Sequence, residues 1–170
     1  NNDVDFQFRA DSNFLYLTGF NEADAALVLS KSGFVYKGKT VHELLFCNAR
    51  SRSTEVWNGY RFGPERAQEV LGFETVTVNR DWKEFWTQFP LGLEPVSIVS
   101  PEPELATRKL GRMIDEWTEW TKAQGDHVKV VRRLAPTLGT MRFVKDSDEI
   151  RLLRRACEVS ARSHIEVMKR

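Results

Sequence analysis

The side chains that most often carry chemistry are sparse and widely spaced in this sequence. None of the three histidines, His42, His127 and His164, has a carboxylate or cysteine partner at a metal-ligand spacing. His42 and His127 fall in strand-like patterns and His164 falls on the apolar stripe of a helix, so each is expected to be structural. The sequence also lacks a nucleophile elbow, a phosphate-binding glycine loop and a dinucleotide fingerprint. It therefore predicts a domain with no catalytic residue and no metal ligand of its own.

The two cysteines, Cys47 and Cys157, offer little more. Cys47 and His42 could form a nucleophile and base pair, but positions five apart on a strand face opposite sides of the sheet. Two distant thiols make a weak disulfide framework. Each cysteine is expected to behave as a small apolar residue in a reducing cytosol.

Length and composition indicate one soluble globular domain, because the chain has 170 residues of which 41% are hydrophobic and 29% charged. The net charge of +1 does not favour nucleic acid or a membrane surface as a partner. The longest apolar run, residues 25–29, is far shorter than the roughly 20 residues of a membrane span. The start of the chain shows no signal-peptide pattern, so we expect a cytoplasmic protein.

One aromatic residue stands in unusual surroundings. Trp57 lies in a polar, glycine-containing stretch, residues 53–65, whereas a core tryptophan usually lies in an apolar run. The composition predicts a loop or hairpin around it.

The first 47 residues favour short strands. Residues 13–18 are aromatic and apolar and end at a glycine, residues 25–30 form a short apolar run, and Ser32-Gly33 predicts a turn. Further strands are predicted at residues 34–37 and 41–47, separated by Gly38. Tight turns between short strands indicate an antiparallel meander.

The pattern then changes to alternating helices and strands. Residues 64–71 begin with proline and are followed by Gly72, which are helix start and stop signals. Further along, the pattern predicts strands at residues 74–79, 96–100 and 127–131 and helices at residues 81–89 and 104–124. This alternation predicts an α/β fold, a mixed sheet with flanking helices and some parallel pairing.

A long amphipathic helix is predicted from about residue 146 to the end. Asp146 or Ser147 is a good N-cap, and Glu149 follows at capping-box distance. One face alternates in charge every four residues, which is typical of a solvated, self-paired surface. The opposite face is apolar and comprises Ile150, Leu153, Cys157, Ala161, His164 and Met168. This stripe must be buried, either on this domain or in a second domain.

Three stretches in order resemble aminopeptidase P. Residues 9–22, RADSNFLYLTGFNE, are similar to the family pattern R-x-x-S-x-F-x-Y-L-T-G-F-x-E. Residues 55–63, EVWNGYRFG, resemble E-I/V-W-x-G-x-R-x-G, and Leu45-Phe46 and Arg50 match the segment before it. Residues 141–156 resemble the junction between the family's amino-terminal domain and its catalytic "pita-bread" domain.

The resemblance implies a division of the chain and the source of the chemistry. Residues 1–145 would be the amino-terminal domain, similar in fold to ribonuclease H or creatinase and lacking its first helix and strand. Residues 146–170 would be the linker and first helix of a catalytic domain beyond residue 170. That domain is expected to hold two divalent metal ions, most often manganese, on two Asp, one His and two Glu. It would remove the first residue from peptides whose second residue is proline, using a metal-activated water.

The resemblance also implies roles for individual residues. In oligomeric members, dimers or tetramers, the tryptophan of the E-I/V-W motif reaches a neighbouring subunit's active site, and by position this is Trp57. An acidic residue before the first motif does likewise, which by position is Asp3. Trp57 would cover a proline ring and Asp3 would attract the substrate's amino terminus, whereas Arg50 and Arg61 would serve loop structure or interdomain ion pairs. The alternatives are a prolidase or creatinase relative, and a non-enzymatic, peptide-binding homologue that has lost its metals.

Overall fold

The computed structural model describes residues 8–82, 84–85, 97–98, 132–133 and 135–169. The chain divides into two compact units, Asn1–Arg133 and Leu134–Arg170. The first unit contains the sheet and the motifs around Trp57, and the second contains the long amphipathic helix.

The first described element is a helix, α1 (Ser12–Thr18), so the predicted strand at residues 13–18 is wrong. Local capping outweighs the β-propensity of its aromatic residues. The Asp11 carboxylate accepts hydrogen bonds from the backbone N–H groups of Asn13 and Phe14, at 2.9 and 3.3 Å. Gly19 then ends the helix in the left-handed conformation, with φ of 64°.

Two long strands form an antiparallel hairpin, β1 (Ala26–Tyr36) and β2 (Lys39–Cys47). The turn predicted at Ser32-Gly33 is wrong, because these residues lie inside β1 at an irregularity in the register between Leu29 and Phe34. The chain reverses at Lys37-Gly38, where both residues have positive φ, 48° and 77°. Consecutive positive φ values are typical of the tight turns that match the twist of a hairpin. The expected series of short strands is therefore a single hairpin.

The sheet becomes mixed after a crossover. Helix α2 (Arg52–Asn58) and helix α3 (Gly63–Leu71) follow β2, and the chain returns as β3 (Thr75–Val78), parallel to β2. The strand order is β1-β2-β3. A short 3₁₀ helix, Asn79–Asp81, follows. The predicted mixed sheet with flanking helices is confirmed, as are α3 and β3.

Strand β2 is central because both of its faces are buried. Leu45 and Cys47 pack on one side with Phe20, Ala67 and Phe73. On the other side, β2 contributes Val41, Leu44 and Phe46 to a second buried cluster, which Phe34 of β1 and Phe85 complete. This explains the continuous apolar run at residues 44–47, since a strand covered on both faces does not alternate.

Two short strands, β4 (Ser97–Ile98) and β5 (Arg132–Arg133), pair in parallel. Strand β4 lies within the predicted strand at residues 96–100. The predicted strand at residues 127–131, with His127, and the predicted helix at residues 104–124 lie outside the described residues. Of the predicted helix at residues 81–89, only the first part is described, and its Trp82 and Phe85 pack on the sheet.

The second unit contains α4 (Ala135–Met141) and α5 (Ser147–Met168). The predicted cap of α5 is confirmed. The Asp146 carboxylate accepts from the Glu149 N–H at 2.8 Å, and the Glu149 carboxylate accepts from the Asp146 N–H at 3.0 Å. The ion pairs that the structure describes along α5 join residues three apart, for example Arg151 with Asp148 and Lys169 with Glu166, rather than residues four apart as the sequence predicts. Every described residue of α5 is exposed except Glu149, which is half-buried beside the cap. Among the described helices, none is both long and apolar enough to cross a membrane.

Candidate functional site: the Trp57 segment

The Trp57 segment, defined here as residues 50–63, connects the end of β2 to the start of α3. The prediction of a loop or hairpin around Trp57 is wrong, since Trp57 lies in α2. The Glu55 N–H donates to the Ser51 carbonyl and the Gly59 N–H donates to the Glu55 carbonyl, each at 3.0 Å. These two helical hydrogen bonds bring the polar stretch into a regular conformation. Composition alone did not indicate this helix because its two turns have no apolar stripe.

Trp57 points away from the core. It is 87% exposed, and the neighbouring Val56 is 79% exposed. A large aromatic side chain is seldom presented so fully unless something else covers it, because burial of an aromatic ring is strongly favourable. The exposure separates Trp57 from the two buried clusters on the sheet, and it makes this helix the candidate functional site.

One carboxylate joins the residues before and after α2. Glu55 Oε1 accepts from Arg50 Nε at 2.8 Å and from the Arg61 backbone N–H at 3.3 Å. The Glu55 side chain is only 15% exposed. The hydrogen bond from Arg50 lowers the pKa of the Glu55 carboxyl, and the N–H of Arg61 lowers it further. Arg50 therefore serves loop structure, as the sequence predicts, whereas Arg61 contributes through its backbone.

A second carboxylate fixes the next residue. Glu22 Oε1 accepts from the Phe62 N–H at 2.9 Å, across 40 positions of sequence. Its Oε2 is buried, with no hydrogen-bond partner among the residues that the structure describes.

Cys47 lies in the same region, fully buried. Burial raises the pKa of the Cys47 thiol to about 12, and the charges of Glu22 and Glu65 act in the same direction. Cys47 is thus the inert apolar cysteine that the sequence predicts.

The segment closes where its two ends touch. A Cβ on Gly63 would approach the Cβ of Arg50 to 3.0 Å and its backbone nitrogen to 3.3 Å, and Gly63 has φ of 70°. A side chain at residue 63 would separate the ends. The guanidinium groups of Arg50 and Arg66 lie over the ring of Tyr60, at 4.7 and 5.5 Å from its centroid. These cation–π contacts pack the chain between α2 and α3 against cationic side chains.

The other residues singled out from the sequence lie elsewhere or outside the described part. Asp3 is outside it, so its role stays a prediction. The His42 backbone N–H donates to Glu74 Oε2 at 2.6 Å, and its ring, exposed on β2, lies 3.7 Å from the same oxygen. Cys157 is exposed on α5 in this chain, and its expected behaviour as a small apolar residue stays a prediction. Within the described residues, no group of three or more potential ligands could hold a metal ion.

Sequence reasoning missed Glu22 and Glu55 as the residues that hold this site. Both lie inside the quoted motifs, but neither was assigned a role. The sequence did offer one indication for Glu55, which is that it lies five positions after Arg50 and two before Trp57. The partner of Glu22 is 40 positions away, and no spacing rule reaches that far.

Comparison with known proteins identifies the family of the chain. Residues 1–94 match the family model described as aminopeptidase P, N-terminal domain. The chain is 34% identical over 172 aligned residues to the Xaa-Pro aminopeptidase of Haemophilus influenzae, covering 99% of this chain and 36% of that protein. The chain therefore spans about a third of the length of the curated relatives that it matches.

Solved structures show the same likeness. A single-residue variant of Escherichia coli aminopeptidase P matches with a TM-score of 0.78 at 28% identity, over 96% of this chain and 36% of that one. A zinc-substituted form of the E. coli enzyme, in complex with product, matches with a TM-score of 0.76 at 28% identity and the same coverage. These homologues are metalloenzymes, and the matched part is about a third of their length. The chain belongs to the family of aminopeptidase P N-terminal domains.

Proposed function

We propose that this chain is the amino-terminal part of a Xaa-Pro aminopeptidase and that its own contribution is to present Trp57 to the substrate. The observation that carries the proposal is the 87% exposure of Trp57 on a helix held by polar contacts. An aromatic face suits a proline ring, which offers flat apolar surface and polarised C–H groups. The resemblance supports the site of a neighbouring subunit as the place where Trp57 acts, with Asp3 beside it to attract the free amino terminus.

The metal chemistry is assigned to the part of a longer protein beyond this chain. Three or more potential ligands do not come together anywhere in the described residues, and we assign these residues no step of the hydrolysis. Two divalent ions, with manganese the expected metal, would supply the activated water elsewhere. What the residues of this chain do is bind and orient.

Assembly and location complete the proposal. We propose a dimer or tetramer in the cytoplasm, in which this chain contacts its own carboxy-terminal catalytic domain and a neighbouring copy. The resemblance supports the assembly. Light scattering on the longer protein measures the assembly, and a monomer would refute the role across subunits.

The test compares the wild type with three variants, each carrying this chain together with the catalytic part. Trp57→Ala should lower kcat/KM on an Arg-Pro-Pro peptide by about two- to tenfold, the range expected for loss of one aromatic contact. Trp57→Phe should recover part of it. The control is Val35→Ala, because Val35 is also an exposed apolar residue, 65% exposed, but lies on β1. Equal kinetics for Trp57→Ala and Val35→Ala would refute the substrate role of Trp57.

Substrate length separates the remaining possibilities. An aminopeptidase P cleaves the Arg-Pro-Pro peptide, whereas a protein that prefers an Xaa-Pro dipeptide would be a prolidase relative. No turnover of either peptide in the presence of manganese would identify a non-enzymatic homologue. Turnover by the 170-residue chain alone would refute the assignment of the chemistry to the missing part.

A further inference from the structure

Helix α2 has little of its own to hold it in place. It has seven residues, and isolated helices of that length are not stable in water. Most protein helices are stabilised by packing an apolar face, but the apolar residues of α2, Val56 and Trp57, are 79% and 87% exposed. The helix must therefore be kept by contacts of another kind.

Glu55 makes those contacts at both ends of the helix. Its backbone N–H and carbonyl form helical hydrogen bonds to Ser51 and Gly59. Its carboxylate simultaneously accepts from Arg50 before the helix and from Arg61 after it, at 2.8 and 3.3 Å. A single residue thus joins the positions that enter and leave α2. The charge-assisted bond to Arg50 is the stronger type of hydrogen bond.

The chain after α2 is fixed over two consecutive residues. The N–H of Arg61 is held by Glu55 and the N–H of Phe62 is held by Glu22. Glu22 belongs to the segment after α1 and anchors the return path to the buried core. Glu55 lies in α2, two residues before Trp57, and its bond to the Arg61 N–H therefore links α2 to this anchored stretch.

We propose that Glu55 is a positioning residue, whose carboxylate holds Arg50 and the Arg61 N–H together so that α2 stays folded and presents Trp57 in one orientation. The consequence for substrate rests on the proposed function of Trp57. A side chain that is ordered before binding loses less freedom when the substrate arrives. Loss of the carboxylate therefore weakens substrate binding without touching the reacting atoms.

The first test measures the helix itself and needs no enzymatic activity. Hydrogen exchange of the backbone amides is followed by mass spectrometry in peptides that cover residues 51–62, for the wild type, Glu55→Ala and Glu55→Gln. The matched control is Glu69→Gln, because Glu69 is an exposed glutamate on α3. Exchange over residues 51–62 should be at least about tenfold faster in Glu55→Ala, the factor for each 1.4 kcal/mol lost. It should be intermediate in Glu55→Gln, which keeps one acceptor oxygen but not the charge.

Two outcomes of this test would overturn the proposal. One is exchange over residues 51–62 that is the same in Glu55→Ala as in the wild type. The other is faster exchange throughout β1, β2 and β3 together with a large fall in Tm, which would show that Glu55 supports the whole fold rather than this helix. Faster exchange confined to residues 51–62 supports the proposal.

The second test separates this inference from the proposed function. In the longer protein, Glu55→Ala should raise KM for the Arg-Pro-Pro peptide by about two- to tenfold, the factor for ordering one side chain, with kcat nearly unchanged. A raised KM that Glu55→Gln partly restores supports both statements. Faster exchange with an unchanged KM would keep Glu55 as the positioning residue of α2 and refute the substrate role of Trp57. An unchanged exchange rate would refute the role of Glu55 whatever the kinetics.

Discussion

Replacing Trp57 with alanine should leave the free energy of unfolding of this chain almost unchanged. Trp57 is 87% exposed, so little of its surface leaves water on folding. About one-eighth of the ~250 Å² surface of a tryptophan side chain is covered, and burial of apolar surface contributes ~25 cal/mol per Å². The free energy lost on removing the side chain is therefore below ~1 kcal/mol. Alanine has a higher helix propensity than tryptophan by a few tenths of a kcal/mol, about half the residue-to-residue range, which opposes that loss. The expected change in Tm is therefore no more than about 2–4 °C for a chain of this size.

A buried aromatic residue in the same unit provides the contrast. Phe46 is fully buried and its ring meets those of Trp82 and Phe85 edge to face, with centroids 4.9 and 5.4 Å apart. Phe46→Ala should cost about 3–5 kcal/mol, because the cavity is lined by rigid rings. Tm should then fall by about 6–20 °C.

The assay is thermal and urea unfolding followed by circular dichroism on the wild type and the two variants. If Trp57→Ala lost more than about 2 kcal/mol, as large-to-small substitutions do in a core, the reasoning from exposure would be refuted. Trp57 would then be a structural residue, and its proposed role towards a substrate would lose the observation that carries it.

Three further predictions concern the backbone, a charge and the thiols. Gly59 has φ of 74° and ψ of 179°, a region almost restricted to glycine, and a Cβ there would meet nothing within 4 Å. Gly59→Ala should therefore lower the free energy of unfolding by about 1–3 kcal/mol through backbone strain alone. Urea unfolding measures this loss, and an unchanged midpoint would contradict it. The hydrogen bond from Lys37 lowers the pKa of Asp81, so the ionised Asp81 stabilises the fold above the ordinary aspartate range near pH ~4. This stabilisation is lost as the pH falls towards the lowered pKa. Asp81→Asn should flatten this part of the plot of stability against pH, and an unaltered slope would argue against the Lys37–Asp81 pair. Cys157 should react with a maleimide within minutes at neutral pH, whereas Cys47, buried and with a pKa near 12, should react only on unfolding; equal labelling rates in the native chain would show the β2 face to be open.

The sequence was most informative where local signals and overall pattern agreed. Pro64 and Gly72 bracket α3 in the structure as they do in the sequence, and Asp146 with Glu149 forms the expected capping box of α5. It misled at residues 13–18, where aromatic residues favour a strand but the Asp11 cap and Gly19 make a helix. A cap acts over a few residues and is decided by hydrogen-bond geometry, which composition does not report.

The family motifs predicted the class of the chain, and the family model confirmed it. They also indicated Trp57, but they did not indicate how Trp57 is held. That depends on Glu55, whose partners flank a helix that was not predicted, and on Glu22, whose partner lies 40 positions away.

Short-range features were thus determined by the sequence alone: the start and end of α3, the cap of α5, and the lack of a ligand spacing around the histidines. Each depends on residues within a few positions of one another. Only the tertiary structure decided that β2 is covered on both faces, that the residues around Trp57 form a helix, and that the tryptophan faces solvent. The burial of β2 and the exposure of Trp57 depend on how distant segments pack, which neighbouring residues do not determine. The helix depends on the Glu55 carboxylate, whose bonds to Arg50 and to the Arg61 N–H are decided by geometry that composition does not report.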